Sequence, residues 1–352
     1  MYKKKKDNVF RRIWNWIKRH KIISIIIAVL LVLIIAAVVF VEVKLNMIHY
    51  NNGVVSAPQS STSDTNDEDE DLTKGLPDAT TEFSNSKIFD DKNVTNILLL
   101  GTDERTSSYN ENARSDSMMI LSINKEKHTA KLVSLERGQG VPILDGEYKG
   151  QYDWLTHCFR YGGASLVMKE VEYCYKVKVD RFVQCNFDSF QKVIDAVGGV
   201  DIEIKDQYVC DALNGKTTTN AQVKHPVSVG VNHLDGYDAL QYSRERFCDS
   251  DWQRIERQRQ TLQAFADKTK NLNLLEFNNL IDTILPLMQT NLSQIEILQL
   301  ASIAPSLKGV HIDQMTLPQK GTYGSMNGMD DRPMFAVDFA KNADILQKFL
   351  YN

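Results

Sequence analysis

A chain of 352 residues, 43% hydrophobic and 24% charged, suffices for one large core or two small ones plus appendages. Its net charge of −4 gives no whole-chain attraction to nucleic acid. Its seven histidines show no HExxH or other ligand spacing, which leaves a zinc enzyme without support.

The charge is unevenly spread, and this sets the domain plan. Residues 1–21 form a basic tail that includes Lys3, Lys4, Lys5, Lys6, Arg11 and Arg12. Residues 22–41 follow with Ser24 as their only polar side chain. A helix of that length is roughly 30 Å long, the thickness of a bilayer's hydrocarbon core. The run outlasts the apolar region of a cleaved signal peptide, and no small-x-small site follows Val41. It therefore predicts a transmembrane signal anchor in the cell membrane. The Lys/Arg excess before it places the N-terminus in the cytoplasm and the remainder of the chain outside. An extracellular domain meets neither cytosolic ATP nor the chromosome, so nucleic acid is excluded as a partner.

Residues 42–92, rich in Ser, Thr and Asn around the acidic block Asp67-Glu68-Asp69-Glu70-Asp71, predict a disordered extracellular linker. The globular core is expected over residues 93–270. Asn96-Ile97-Leu98-Leu99-Leu100-Gly101 is a continuously apolar strand of the kind buried on both faces. Residues 118–123 and 131–135 pair as a hairpin around a polar turn at 124–129. Helical spacing after Gly163 puts Leu166, Val167, Val171 and Cys174 on one face. A strand over 181–187 leads into a helix with Asp188 and Gln191 as a capping box, ending at Gly198-Gly199 before a strand at 200–204. Helices then dominate, at 252–270, 274–288 and 294–303. A strand near 312–317 and a helix over 335–351 close the chain, so residues 271–352 are expected as a helical extension packing on the core. Interleaved strands and helices give an α/β class, a three-layer α/β/α domain with a mixed central sheet. Cys158, Cys174, Cys185, Cys210 and Cys248 include no CxxC pair, and their odd number leaves at least one free or intermolecular thiol. A Cys210–Cys248 disulfide is possible; burial as small hydrophobes is the plainer reading.

Familiar nucleotide and hydrolase motifs fail. Asn214-Gly215-Lys216-Thr217 lacks the first glycine and preceding strand of a P-loop, Gly138-Gln139-Gly140 lacks the third glycine of a dinucleotide fingerprint, and no GxSxG occurs. What remains is a set of charges at strand ends. Asp103 follows the first core strand, Asp116 precedes the next, and Arg137 follows the third; such loops bind ligands in α/β proteins. Residues 242–260 contain Arg244, Arg246, Arg254, Arg257 and Arg259 and no lysine. Arginine offers a planar fork for phosphate oxygens, which a merely solvated face does not need. With Ile255, Leu262, Phe265 and Ala266 on the apolar face, Arg254 and Gln258 lie on its margin and Arg257 further toward solvent. The inward arginine needs a partner, either a bound phosphate or salt bridges to Asp249, Asp251 or Glu256.

Asn96-Ile97-Leu98-Leu99-Leu100-Gly101-Thr102-Asp103-Glu104-Arg105 and Arg114-Ser115-Asp116-Ser117-Met118-Met119 resemble the opening of the LytR–CpsA–Psr (LCP) family. Tyr161-Gly162-Gly163, Val183-Gln184-Cys185-Asn186-Phe187, Val197-Gly198-Gly199-Val200, His233-Leu234-Asp235-Gly236 and Ala239-Leu240-Gln241-Tyr242-Ser243-Arg244-Glu245-Arg246 continue the resemblance. It covers roughly residues 96–262. It implies a hydrophobic tunnel for a polyprenyl chain, with a pyrophosphate held among arginines beside Mg2+ (or Mn2+). Asp103 and Asp116 would hold the metal, while Arg105, Arg114, Arg137, Arg244, Arg246, Arg254 and Gln258 would surround the pyrophosphate. Asp103, Arg137, Arg244 and Arg246 would be catalytic, Asp103 taking the acceptor's proton. The implied reaction transfers a polyprenyl-pyrophosphate-linked glycan to a peptidoglycan acceptor. One departure stands out: the family commonly has Pro-Arg-Asp where this chain has Glu136-Arg137-Gly138. A non-catalytic binder of anionic polymers, or a hydrolase of the lipid pyrophosphate, would use the same arginines; two carboxylates among them favour a metal over simple anion capture.

Overall fold

The computed structural model describes residues 35–51, 53, 86–103, 113–219, 221–270, 272–303 and 312–352. The chain forms two compact units, residues 1–47 and 48–352. In the first, residues 35–45 are helical. Residues 22–34 of the expected anchor lie outside the described residues, and no helix among the described residues is long and apolar enough to cross a membrane. Most of the expected linker, including its acidic block, also lies outside them. Its beginning is structured, because β1 (His49–Tyr50) joins the main sheet of the second unit.

That sheet is built on β2 (Val94–Thr102), β3 (Ser115–Asn124) and β4 (Thr129–Leu135), an antiparallel meander in which Asn124 faces Thr129 across the expected turn. A small hairpin follows, β5 (Gly140–Pro142) and β6 (Tyr152–Trp154), then α1 (Leu155–Tyr175). The helix expected after Gly163 starts earlier and breaks at Gly162 and Gly163, whose backbones are non-helical. Strand β7 (Arg181–Asn186) runs parallel to β2 and leads into α2 (Phe187–Ala196). The cap is Asn186, whose side chain accepts the Ser189 N–H; Asp188, expected as the cap, falls in the first turn and pairs with Lys192. A second hairpin, β8 (Val200–Ile204) and β9 (Gly230–Leu234), encloses α3 (Gln207–Leu213) in sequence. Then come α4 (Gly236–Arg244), α5 (Asp251–Thr269) and α6 (Leu274–Ile284).

The last part of the chain is not the helical extension expected. β10 (Gln289–Thr290) bridges β1 and β7, α7 (Gln294–Ile303) covers the sheet, and β11 (Asp313–Leu317) extends it parallel to β4. A third hairpin, β12 (Tyr323–Asn327) and β13 (Pro333–Val337), precedes α8 (Phe339–Tyr351). The expected helix over 335–351 thus begins at Phe339, its first residues being strand. The mixed sheet has the order β1–β10–β7–β2–β3–β4–β11.

Alternation of side chains across this sheet makes the layers. Leu98, Leu100, Met118, Ile120 and Phe182 pack against α1 and α8 in the main core. Ile97 and Ile123 point the other way, toward Ile297, Leu300 and Ile303 of α7. The third core joins β8, β9, α3 and α4. All five cysteines are free, so the Cys210–Cys248 pairing does not form.

The start of α4 is set by one glycine. Asp235 caps the helix by accepting the Asp238 N–H, and Gly236 lies so close to α2 that a Cβ there would overlap the Gln191 carbonyl. Gly236→Ala is expected to destabilise the protein by about 3 kcal/mol, since the obstacle is backbone and cannot rotate away. Urea unfolding should show a lower midpoint at unchanged slope.

Candidate functional site

Odd-numbered positions of the central strands line a cavity of about 580 Å³. Leu99 sits opposite Met119 on β3 and Val183 on β7, and these three make an apolar floor. Two residues along, Gly101, Ser117 and Cys185 form the next row. At about 3.3 Å per residue, Asp103 lies roughly 13 Å from Leu99 along the strand direction. Phe190 from α2, with Leu262 and Phe265 from α5, closes the apolar part opposite the sheet. Burial raises the Cys185 thiol to about 12, so it serves as an apolar wall rather than a nucleophile.

The charged residues gather where β2 and β7 end and β3 begins. Asp103, Arg114, Asp116 and Arg137 line the cavity from the strand ends, and Arg244, Arg246, Arg254 and Gln258 from α4, α5 and their connection. Arg105 lies outside the described residues. Asp103 accepts the Arg114 backbone N–H at 2.8 Å and its Nε and Nη2 at 3.1 and 3.0 Å. Arg137 donates from Nη1 to Asp116 at 2.6 Å, and its Nε is 3.3 Å from Asp251. Burial opposes the Arg137 charge, but Asp251 and Asp116 outweigh it and raise its pKa. Arg254 is 4% exposed and donates to the Asp251 carboxylate at 2.9 Å and the Asp116 carbonyl at 3.3 Å. Its burial brings its pKa down to about 10 despite Asp251, so it stays charged at neutral pH. Its Nε is buried without a hydrogen-bond partner. The alternative partners are thus realised together: Arg254 and Arg137 on Asp251, Arg257 on Asp249, Arg259 on Glu256.

Arg244 and Arg246 are held differently. Helix α4 stops at Arg244 because Glu245 is extended (φ −60°, ψ 131°), and in an extended segment residues i and i+2 share a side. Glu245 is fully buried and accepts the Phe247 and Cys248 backbone N–H groups, which anchors the turn between the two arginines. The Arg244 guanidinium lies 4.7 Å over the Phe187 ring and Arg246 5.3 Å over Phe247.

Arg257 departs from its expected solvent-facing place. It is 5% exposed, grips Asp249 bidentately at 2.7 and 2.8 Å and also bonds the Glu245 carbonyl. It faces the turn between α4 and α5, so its role is to hold that turn. The sequence marks Glu136 only as a departure and Asp251 only as an alternative partner of the inward arginine; both join this network. Among the described residues, one group of three metal-ligand types has its atoms within 4.8 Å, His225, Asp235 and Asp238, and none of them lines the cavity. Asp238 there accepts the Lys224 and His225 backbone N–H groups, a structural use.

Arg257→Ala is expected to cost about 3–5 kcal/mol by stranding the Asp249 carboxylate. Arg244→Ala should leave the unfolding midpoint within roughly 1 kcal/mol of wild type, because its seat is an aromatic face. Denaturant titration of both variants checks the contrast.

Comparison with known proteins agrees with this architecture. The profile of the LytR_cpsA_psr family matches residues 55–348. The chain is 32% identical over 260 residues to the polyisoprenyl-teichoic acid–peptidoglycan teichoic acid transferase TagT of Bacillus subtilis (strain 168), covering 73% of this chain and 75% of that protein. It is 32% identical over 201 residues to TagU of Bacillus cereus, of the same description, covering 56% of this chain and 60% of that protein. Among solved structures, the LytR-CPS2A-psr family protein YwtF (TagT) with bound octaprenyl pyrophosphate lipid superposes with TM-score 0.55 at 27% identity, over 76% of this chain and 95% of that one. The mixed sheet, the order of the motifs and a profile match across most of the length converge, and the chain belongs to the LytR_cpsA_psr family.

Proposed function

We propose that this protein is a membrane-anchored phosphotransferase that moves a polyprenyl-pyrophosphate-linked glycopolymer onto a peptidoglycan hydroxyl outside the cell. The observation that carries this reading is an apolar cavity whose mouth holds five arginines, the shape and charge that a lipid diphosphate requires. The printed activity of the TagT and TagU relatives and the lipid bound in the TagT structure support it, and make a teichoic acid the first polymer to try. The apolar run at residues 22–41, with its basic flank, supports a cytoplasmic N-terminus and an extracellular catalytic domain.

In this reading the prenyl chain lies against Leu99, Met119, Val183 and Phe190, and the diphosphate among the arginines. The acceptor hydroxyl oxygen forms a bond to the phosphorus nearest the glycan as the bond to the polyprenyl phosphate breaks. Polyprenyl phosphate leaves with the bonding electron pair, and the hydroxyl proton passes to a carboxylate. Asp103 is the candidate base; its oxygens also carry the Arg114 bonds, which aim it at the cavity mouth. Arg244 and Arg246 stabilise charge on the transferring phosphoryl group, and Arg137 and Arg254 hold the departing phosphate.

Asp103 and Asp116 fit a magnesium or manganese ion by donor chemistry. Both are hard carboxylates facing one cavity, and such ions commonly take one or two carboxylates plus water and substrate phosphates. When bound, the cation would neutralise diphosphate charge and strengthen the leaving group.

The test is transfer from a polyprenyl-pyrophosphate-linked glycan to peptidoglycan fragments by the full chain in detergent, followed by mass spectrometry. Arg244→Ala is expected to lower the rate at least about 100-fold. Asp103→Asn should lower it comparably, and a chelator should abolish it until Mg2+ is restored. Release of polymer to water at the same rate without acceptor would favour a hydrolase. Lipid binding without turnover, across several acceptors, would favour a non-catalytic binder.

A further inference from the structure

The departure at residues 136–138 has a structural counterpart. Glu136 is 2% exposed at the end of β4, and its Oε2 accepts the Gly138 N–H at 2.5 Å. A Cβ on Gly138 would lie 3.3 Å from that oxygen, so the Glu136 carboxyl fills the space where a side chain at 138 would begin. It also meets the carboxyl of Asp251, the first residue of α5. The Oδ1 of Asp251 is buried and has no hydrogen-bond donor among the groups ordinarily protonated at neutral pH; the Arg137 Nε reaches it only as an ion pair at 3.3 Å. Two carboxyls in contact cannot both be charged without strong repulsion, and a single proton shared between them removes it.

We infer that Glu136 is a positioning residue, its protonated carboxyl donating to Asp251 and limiting the pair to one negative charge so that Arg137 and Arg254 stay available to the diphosphate. This rests on the diphosphate reading of the site. Asp251 holds both arginines, Arg254 at 2.9 Å and Arg137 at 3.3 Å. A second negative charge beside them would compete with the ligand for the same guanidinium groups. The surroundings support a neutral Glu136: burial, then Asp251, raise its pKa to about 8, against the smaller opposing pull of the Gly138 N–H and Arg137. Tyr175 of α1, whose own pKa is pushed up by burial, also faces it, while Asp116 and Arg254 lie one step away on Arg137 and Asp251.

Below about pH 8 Glu136 carries its proton and the pair is singly charged; above it the pair becomes doubly negative and the ligand is repelled. Glu136→Gln keeps both bonds, its oxygen accepting from Gly138 and its amide donating to Asp251, and has no proton to lose. The test measures binding of farnesyl pyrophosphate by the full chain in detergent from pH 6 to 9, by calorimetry, for wild type, Glu136→Gln and Glu136→Ala. In the same samples the infrared carboxylic-acid band is followed through the titration. Wild-type affinity is expected to fall about tenfold relative to Glu136→Gln across pH 8, a comparison that cancels the probe's own ionisation. Below pH 8 Glu136→Ala should bind about tenfold more weakly than wild type, because Asp251 loses its donor, and above it no more weakly. The acid band of wild type should persist above pH 7 and be absent in Glu136→Gln. Identical pH profiles for wild type and Glu136→Gln, or wild-type affinity in Glu136→Ala at pH 6, would overturn the inference while leaving the diphosphate site standing. Failure of wild type to bind the probe at any pH would instead overturn the site reading and the inference with it.

Discussion

Five arginines converge on one end of a sheet, and their mutual repulsion is the constraint around which the site is organised. Bringing cationic groups out of water together is costly unless each has a counter-charge or a polarisable seat. The protein uses both. Arg114 is set on Asp103, and Arg137 and Arg254 alternate with Asp116 and Asp251. Arg244 and Arg246 instead lie over aromatic rings, with a buried glutamate turning the chain between them. The first group is pre-neutralised by its carboxylates, whereas the second is seated on aromatic faces. In the proposed reading, a dianionic ligand meets both groups at the cavity mouth.

The sheet makes this possible because its two faces have different work. Leu98, Leu100 and Phe182 are buried against α1 and α8 and supply the largest core. Their neighbours Leu99 and Val183 face the cavity, where no helix fills the space. On that same face, Ile97 and Ile123 are covered by α7. The cavity is therefore a gap in an otherwise complete third layer, located where α2, α4 and α5 stand off from the strands. Its charged end coincides with the ends of the parallel pair β2 and β7, the usual place for ligands in α/β sheets.

Much of this was legible in the sequence, and the limits are physical. The helix margin at Arg254 and Gln258 was readable because the apolar stripe Ile255, Leu262, Phe265 has an unambiguous period. Arg257 was not, because its partner Asp249 sits in a turn whose direction depends on how α4 meets α5. Strands β2, β3, β4 and β8 were visible as apolar or alternating runs. β1 and β10 have two residues each, too few for any period, and β12, with its Gly, Ser and Asn, carries little apolar signal. The choice between the faces of β2 was hidden as well. Leu98, Leu99 and Leu100 are alike, and only the register against Met119 and Val183 assigns Leu99 to the cavity. Glu136 could be seen as a departure, but not that it reaches Asp251, which comes from a helix far along the chain.

Phe187 ties the apolar and charged parts of the site together. It is the first residue of α2, placed by the Asn186 cap at the end of β7, and its ring lines the cavity. The same ring seats Arg244. A chain filling the cavity would limit the rotation of that ring and, through it, the position of the guanidinium above. One side chain thus borders both the apolar pocket and a guanidinium at its mouth.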